Sequence, residues 1–519
     1  MKSHNLLIGY ILVLGLCSTV TIVLGQEAYT DDWEVLARHE EAPEWFRDAK
    51  FGIYFHWGVY SVPAFGQEWY PRWMHVEGYV RRKTHNYFQH HVETYGHPSE
   101  FGYHDFVPMF QAEQFDADDW ADLFFRAGAR FAGPVAEHHD GFAMWDSEVT
   151  PWNVADMGPQ RDITGELARA VRNRDMKFVT TFHHARNLQR YANNPEHLNP
   201  DTDLSYTERF RMSHYPYIEG MPTTADDSIL RLLYGNMPED EWLERMWFGK
   251  LKEVIDQYEP DLIWFDSWLD QIPEAYLQRF CAYYLNHAAR QDKEVVITRK
   301  QEDLPLSVSL DDLEKGRMDQ MTAHCWLTDD TISLGSWCYT RDLKIKPVKM
   351  VLHGLIDIVS KNGCLLLNIS PKADGTIPQD QQDILLAMGR WLKINGEAIY
   401  NTRPWIKYGE GPTTIGKSGG FIKEPTYTAR DIRYTSSKDD QILYATLLGW
   451  PGGGKEISLN AVSWNTHIKR IDMLGSDEIT EWSLARNKGL TLTLPAEAPS
   501  DLAVCIRIEK SYGGDTRRE

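Results

Sequence analysis

From about residue 50 to residue 400 the chain alternates short β-rich runs with amphipathic helical patterns. That alternation restricts it to βαβ units around a parallel sheet. The candidate strands are Phe51–His56, Phe131–Glu137, Phe178–His183, Leu262–Phe265, Val295–Thr298 and Cys364–Asn368. Leu243, Trp247, Leu251, Val254 and Tyr258 recur at helical spacing between two of them, as do Ile384, Met388, Trp391 and Ile394 after the last. Val348–Val359 is apolar nearly all round, which predicts a buried helix.

Reactive residues end almost every candidate strand. His56 ends the first, His138-His139-Asp140 follow the second, and His183-His184 close the third; Asp266, Arg299 and Asn368 end the later ones. A (β/α)8-like, TIM-type barrel gathers the carboxyl ends of its strands around one mouth, so these residues are expected to converge there. Any one of them alone reads as a cap or turn residue. Six in succession do not.

After Tyr400-Asn401-Thr402-Arg403-Pro404-Trp405 the helical pattern stops. Leu443–Leu448, Glu456–Leu459, Ile468–Met473, Leu490–Leu494 and Ala503–Ile508 read as short strands separated by Gly, Pro and Asp, which predicts a C-terminal antiparallel β-sandwich. At the other end, Lys2 precedes an apolar stretch from Leu6 to Leu24, and Val23-Leu24-Gly25 suits cleavage before Gln26. The expected organisation is a signal peptide over 1–25, a catalytic barrel over 26–405 and the sandwich over 406–519. The product is then secreted or periplasmic, and membrane-free once the signal is removed. A net charge of −21 with no long basic run argues against nucleic acid. Five cysteines remain after cleavage, without paired metal spacing, and most are expected to be buried small hydrophobes. Insertions at 75–105 and 193–240 are long enough to shape a site.

Glycoside hydrolysis needs two carboxyl groups, aromatics for the sugar face and donors for its hydroxyls. Asp266, directly after Leu262-Ile263-Trp264-Phe265, is a carboxylate that histidine or arginine neighbours would have to keep ionised. Here the chain resembles the α-L-fucosidase family of glycoside hydrolases. The likeness is carried by Trp45-Phe46-Arg47-Asp48-Ala49-Lys50-Phe51-Gly52-Ile53, His56-Trp57-Gly58, Tyr60-Ser61-Val62-Pro63-Ala64 and Glu68-Trp69-Tyr70. Glu137-His138-His139-Asp140-Gly141-Phe142, Trp264-Phe265-Asp266, Leu365-Leu366-Leu367-Asn368-Ile369-Ser370-Pro371 and Asn395-Gly396-Glu397-Ala398-Ile399-Tyr400 extend it.

The resemblance implies a retaining double displacement without cofactor or metal, acting on fucosylated oligo- or polysaccharides. It puts Asp266 at the nucleophile and His56, Glu68, Trp69, His138, His139, Trp264 and Arg299 around the sugar. Trp337 falls beside the sugar methyl. Where the family usually has Tyr-Ser, this chain has Phe182-His183-His184, so a hydroxyl contact there is expected to be lost or replaced by His183. Glu314 is the expected acid/base, with Asp312 and Glu302 as competitors.

Four other readings stand beside this one: an α-L-galactosidase, a transfucosidase, a non-catalytic fucose-binding protein, and a metal-dependent barrel hydrolase. The last is weakened because adjacent strand histidines point to opposite faces, leaving one ligand per pair. Arg81, Arg82, Lys83, His85, His90 and His91 form a local basic cluster that could receive a sulfate on the substrate. The sequence leaves room for a homo-oligomer.

Overall fold

A computed structural model describes residues 28–511 except 79, 82–84, 190–213, 217, 267, 301, 477–480 and 487. The signal-peptide segment lies outside the described residues. Eight parallel strands form the main sheet: β1 (Phe51–Phe55), β2 (Phe131–Glu137), β3 (Lys177–Phe182), β4 (Leu262–Phe265), β5 (Val296–Arg299), β6 (Leu310–Asp311), β7 (Trp326–Thr331) and β8 (Gly363–Ile369). Their order is β6-β5-β4-β3-β2-β1-β8-β7, and a single parallel bridge between Asp312 and Leu327 joins the two ends. The sheet is thereby a nearly closed barrel.

Side-chain alternation divides this sheet into two environments. Tyr54, Val135, Val179, Leu262, Trp264, Val296, Leu310, Leu327 and Leu366 pack together in the barrel lumen. Their strand neighbours Ile53, Phe55, Phe178, Phe182, Ile263, Phe265, Ile297 and Leu367 pack outward against the helices. A period of two along each strand fixes which residues can reach the mouth.

The helical spacing of Leu243, Trp247, Leu251, Val254 and Tyr258 buries all five residues, but the first turns are π-helical over Trp242–Gly249 before an α-helix runs from Lys250 to Tyr258. The wide turn accounts for the early spacings of four. The apolar segment becomes the helix Val348–Ser360, buried throughout from Val351 onward. It lies between the barrel and the C-terminal domain, where its Asp357 pairs with Arg433 at 2.6 Å.

The C-terminal domain has two antiparallel sheets. One contains β9 (Thr402–Glu410), β10 (Ile432–Ser437), β11 (Ile442–Leu447), β13 (Ile468–Met473) and β16 (Val504–Lys510); the other contains β12 (Glu456–Leu459), β14 (Trp482–Ala485) and β15 (Gly489–Thr493). Leu443, Tyr434 and Ile506 from the first meet Leu459, Leu490 and Leu492 from the second in one core. All five expected strands of this domain are present, and β9, β10 and β14 add to them. The five cysteines among the described residues, Cys281, Cys325, Cys338, Cys364 and Cys505, are buried free thiols.

Candidate active site

Asp266 follows β4 two residues after the lumen-facing Trp264, so it shares that face and stands at the mouth. Its Oδ2 lies 3.2 Å from His139 Nε2 and 3.6 Å from His183 Nδ1, while its Oδ1 lies 3.2 Å from Lys300 Nζ. Burial opposes charge on this carboxyl. The Lys300 ammonium and the two histidines outweigh it and hold Asp266 well below the usual carboxylate range.

Lys300 is the centre of the arrangement. Its ammonium is also 3.2 Å from Glu314 Oε2 and 3.6 Å from both Asp312 Oδ2 and Asp329 Oδ1, and it lies 4.4 Å from the centre of the Trp264 ring. Burial works against the cation, yet the four carboxyl groups raise it well above an ordinary lysine. One ammonium cannot balance four carboxylates. Burial and the neighbouring Asp312 accordingly push Asp329 well up, and Asp312 is itself raised by burial, so this pair retains a proton. The Tyr54 hydroxyl donates to Asp329 Oδ2 at 2.9 Å. Burial raises Glu314 to about 7, with Asp329 and Asp266 adding to the rise and Lys300 opposing it.

Among the acid/base candidates, Glu314 is the one that reaches this cluster with some access to solvent, its side chain being 22% exposed. Asp312 is fully enclosed and Glu302 is on the exterior. Glu314 sits in a loop after the two-residue β6, and that loop is braced by the C-terminal domain. The Phe421 N–H donates to the Glu314 carbonyl at 2.7 Å, and the Ile422 N–H to the Lys315 carbonyl at 3.2 Å. Phe421 holds a left-handed backbone (φ 51°), and its side chain is exposed.

Around the carboxylates stand buried, neutral imidazoles. Burial lowers His56 to about 4 and His183 to about 3, and depresses His138, His139 and His214 as well. His56 Nδ1 is 2.8 Å from Asn368 Oδ1, whose amide nitrogen donates to the Trp337 carbonyl at 2.7 Å. The amide orientation is thus fixed, and the His56 proton belongs on Nδ1, leaving Nε2 as an acceptor. His138 Nδ1, His183 Nε2 and Trp264 Nε1 are buried with no hydrogen-bond partner among the described residues. Convergent unpaired polar atoms over aromatic rings are what a sugar's hydroxyls require. Glu68 Oε2 accepts from the Trp337 N–H at 3.0 Å and from Ser336 Oγ at 3.2 Å. The Trp337 ring lies 5.3 Å from His56, and the Trp69 ring lies 5.1 Å from His139.

Three expectations need correction. Arg299 does not face the cluster: it shares the outward face of Ile297, with Nε 2.7 Å from Asp311 and Nη1 2.5 Å from the Leu304 carbonyl. Parity delivers its neighbour Lys300 instead. His183 and His184 do point oppositely, His184 meeting the Trp247 carbonyl at 3.1 Å. His138 and His139, however, both reach the mouth, because β2 ends at Glu137 after a register shift and the chain turns. Finally, His91 is no surface cation: it is buried between the Tyr70 hydroxyl and the Phe101 carbonyl. The side chains of Arg81, Arg82 and Lys83 lie outside the described residues.

Donor atoms of His56, His138 and His183 lie within 4.8 Å of one another, as do those of His139, His183 and Asp266. A transition metal could bind such sets, but the second is already internally bonded around Asp266. His214, whose ring is 5.3 Å from His139, and Asp329 are site residues the sequence did not single out.

A family model described as alpha-L-fucosidase matches residues 16–397, and one described as the alpha-L-fucosidase C-terminal domain matches 425–509. The tissue alpha-L-fucosidase of Rattus norvegicus is 32% identical over 519 residues, covering 97% of each chain. The plasma alpha-L-fucosidase of Homo sapiens is 29% identical over 476 residues, covering 89% of this chain and 88% of its own. The solved structure of Thermotoga maritima alpha-fucosidase in complex with fucose superposes with a TM-score of 0.68 at 28% identity, covering 92% of this chain and all of that one. With the barrel, the paired carboxyls and both matched regions in agreement, this chain belongs to the alpha-L-fucosidase family and is a glycoside hydrolase.

Proposed function

We propose that the enzyme is an exo-acting, retaining α-L-fucosidase that removes terminal fucosyl groups from oligo- or polysaccharides through a covalent fucosyl-enzyme intermediate. One observation carries the stereochemistry. Asp266 Oδ1 and Glu314 Oε2 are each 3.2 Å from Lys300 Nζ, so the facing edges of the two carboxyls lie within twice that distance, which favours the shorter of two known spacings. Inverting enzymes seat a water between carboxyls about 6.5–9.5 Å apart, whereas retaining pairs sit at about 5–5.5 Å.

In this reading Asp266, held ionised, attacks the anomeric carbon while Glu314 protonates the leaving oxygen; Glu314 then deprotonates the water that releases fucose. His56, His138, His139, His183 and Glu68 hold the hydroxyls, and Trp69, Trp264 and Trp337 shape the pocket. An apolar pocket discriminates weakly against an added hydroxyl, so some α-L-galactoside turnover is expected. Residues 1–25 direct secretion.

NMR of early products should show α-fucose before mutarotation; β-fucose first would rule out double displacement. Asp266→Gly should abolish hydrolysis of aryl and natural fucosides alike. Glu314→Ala should lose about 10²–10⁴-fold on an oligosaccharide, retain most of its glycosylation rate on nitrophenyl fucoside, and be accelerated by azide. Wild-type cleavage of oligosaccharide by Glu314→Ala would remove Glu314 from the role.

A further inference from the structure

Lys300 touches both reacting carboxyls at once, and nothing in the chemistry above requires that. Its Nζ is 3.2 Å from Asp266 Oδ1 and 3.2 Å from Glu314 Oε2, and its side chain is only 5% exposed. It cannot easily leave. Asp312 and Asp329 hold the same ammonium from below at 3.6 Å each, and the Trp264 ring lies 4.4 Å away.

Taking the roles of Asp266 and Glu314 as proposed, we infer that Lys300 is a positioning residue that acts as one stationary counter-ion for two carboxylates carrying charge in turn. In the first step an Asp266 oxygen bonds to the anomeric carbon, the glycosidic C–O bond breaks, and the Glu314 proton passes to the leaving oxygen. Asp266 ends as a neutral ester and Glu314 as a carboxylate. In the second step Glu314 takes a proton from water, the water oxygen bonds to the anomeric carbon, and the ester C–O bond breaks, returning the charge to Asp266. At each stage the three groups together hold one negative and one positive charge. The negative charge moves between oxygens that both touch Lys300, so the buried site never has to create or bury a net charge. The ammonium itself has no reason to move.

The surroundings of Glu314 fit this scheme. Asp266 comes from the end of β4, Lys300 from β5, Asp312 from β6, Asp329 from β7 and the Tyr54 hydroxyl from β1. Lys315 turns away, its ammonium 4.4 Å from the centre of the Trp337 ring and 3.3 Å from the Gly335 carbonyl. Lys300 is thus the one ammonium that directly contacts Glu314 among the described residues. In the resting state negative Asp266 helps raise Glu314. Esterification removes that influence and leaves Glu314 as the one reacting carboxylate on Lys300, just when a base is needed.

The test is the pH profile of kcat/KM for nitrophenyl fucoside with Lys300→Met and Lys300→Arg. The acid limb reports Asp266 losing its charge and the alkaline limb reports Glu314 losing its proton. Removing a shared cation raises both groups, so Lys300→Met should shift both limbs alkaline by roughly 1 pH unit or more, the usual influence of an opposite charge at this range. Lys300→Arg should restore both limbs. Limbs at wild-type positions with only a lowered plateau would overturn the inference, as would a shift of one limb alone. Should Lys300→Met fail to fold, the neutral but polar Lys300→Gln keeps all four carboxyls and is read in the same way. Asp266→Gly and Glu314→Ala keep Lys300, so a failure of the carboxylate assignments shows there first and takes this inference with it. Failure of Lys300→Met alone leaves those assignments standing.

Discussion

Asp329 and Asp330 are neighbours on β7, and they have opposite fates. Asp329 faces the lumen, where four carboxyls share Lys300, and it is pushed well above the ordinary carboxylate range by burial and by Asp312. Asp330 faces outward, where both its oxygens are 2.8 Å from Lys346 Nζ and Arg317 stands at 3.5 Å. Glu424 of the C-terminal segment completes that outer set, 2.8 Å from Lys346 and 3.3 Å from Arg317. Two anions meet two cations there, and although burial opposes it, the charge on Asp330 is favoured. The difference is stoichiometry. A surplus of carboxyls over cations stores protons and suits acid–base work, whereas a balanced set fastens one part of the fold to another.

Breaking the outer set should have the largest effect. Asp330→Asn leaves Lys346 buried with one partner fewer and should destabilise the protein by about 3–5 kcal/mol in equilibrium unfolding, with kcat on nitrophenyl fucoside unchanged below the transition. A large fall in kcat with full stability would reverse the roles assigned to the two faces.

The second effect is on pH. Glu314 and Asp140 are both raised by burial to about 7, so the folded state holds protons that the unfolded chain releases at about pH 4. The buried histidines act the other way and outnumber them: His56 and His183 are lowered to about 4 and 3, and His138, His139 and His214 are depressed too. The unfolded chain therefore binds more protons below about pH 6.5, and stability should on balance rise from about pH 4 to 7. Asp330 adds to the rise at its acid end: its folded value is depressed, so its contribution is present above about pH 4 and is lost as acid protonates it. Denaturant titrations at several pH values measure the rise. Glu314→Gln with Asp140→Asn should steepen it by about 3 kcal/mol per group, and an unchanged slope would mean that these carboxyls hold no extra protons.

The smallest effect should come from Asp329→Asn. The group is already largely neutral and the amide is nearly isosteric, so the loss should stay below about 1 kcal/mol. A loss equal to that of Asp330→Asn would erase the distinction between the faces.

The same pair of residues marks where the sequence stops being readable. Six barrel strands show as apolar runs because both of their faces are covered by hydrocarbon. Trp326–Thr331 does not, since its inward Asp329 is neutralised by a carboxyl cluster and its outward Asp330 by Lys346, and neither partner is visible locally. Leu310–Asp311 is only two residues long and leaves no periodicity to detect. At the site, strand-end histidines and Asp266 were legible because an apolar run points directly at them. Choosing Lys300 over Arg299 needed parity carried on from Val296, an inference the run of residues permitted. His214 emerges from an insertion and had no such signal. Glu314 was reached through family likeness, its loop having no periodic pattern of its own.

The brace on the Glu314 loop has a consequence for how such an enzyme diversifies. Backbone contacts to the Glu314 loop come from β7 and also from 419–422, a stretch lying between the two regions matched by the family models. If Glu314 donates the proton as proposed, it stands on the leaving-group side of the scissile bond, and that side is then built partly from a segment of the β-domain. On that reading, changes in this short stretch, the exposed Phe421 included, would alter the leaving-group side while leaving the barrel mouth around Asp266 untouched. The proposed roles would thus divide recognition of the two halves of the substrate between two folding units.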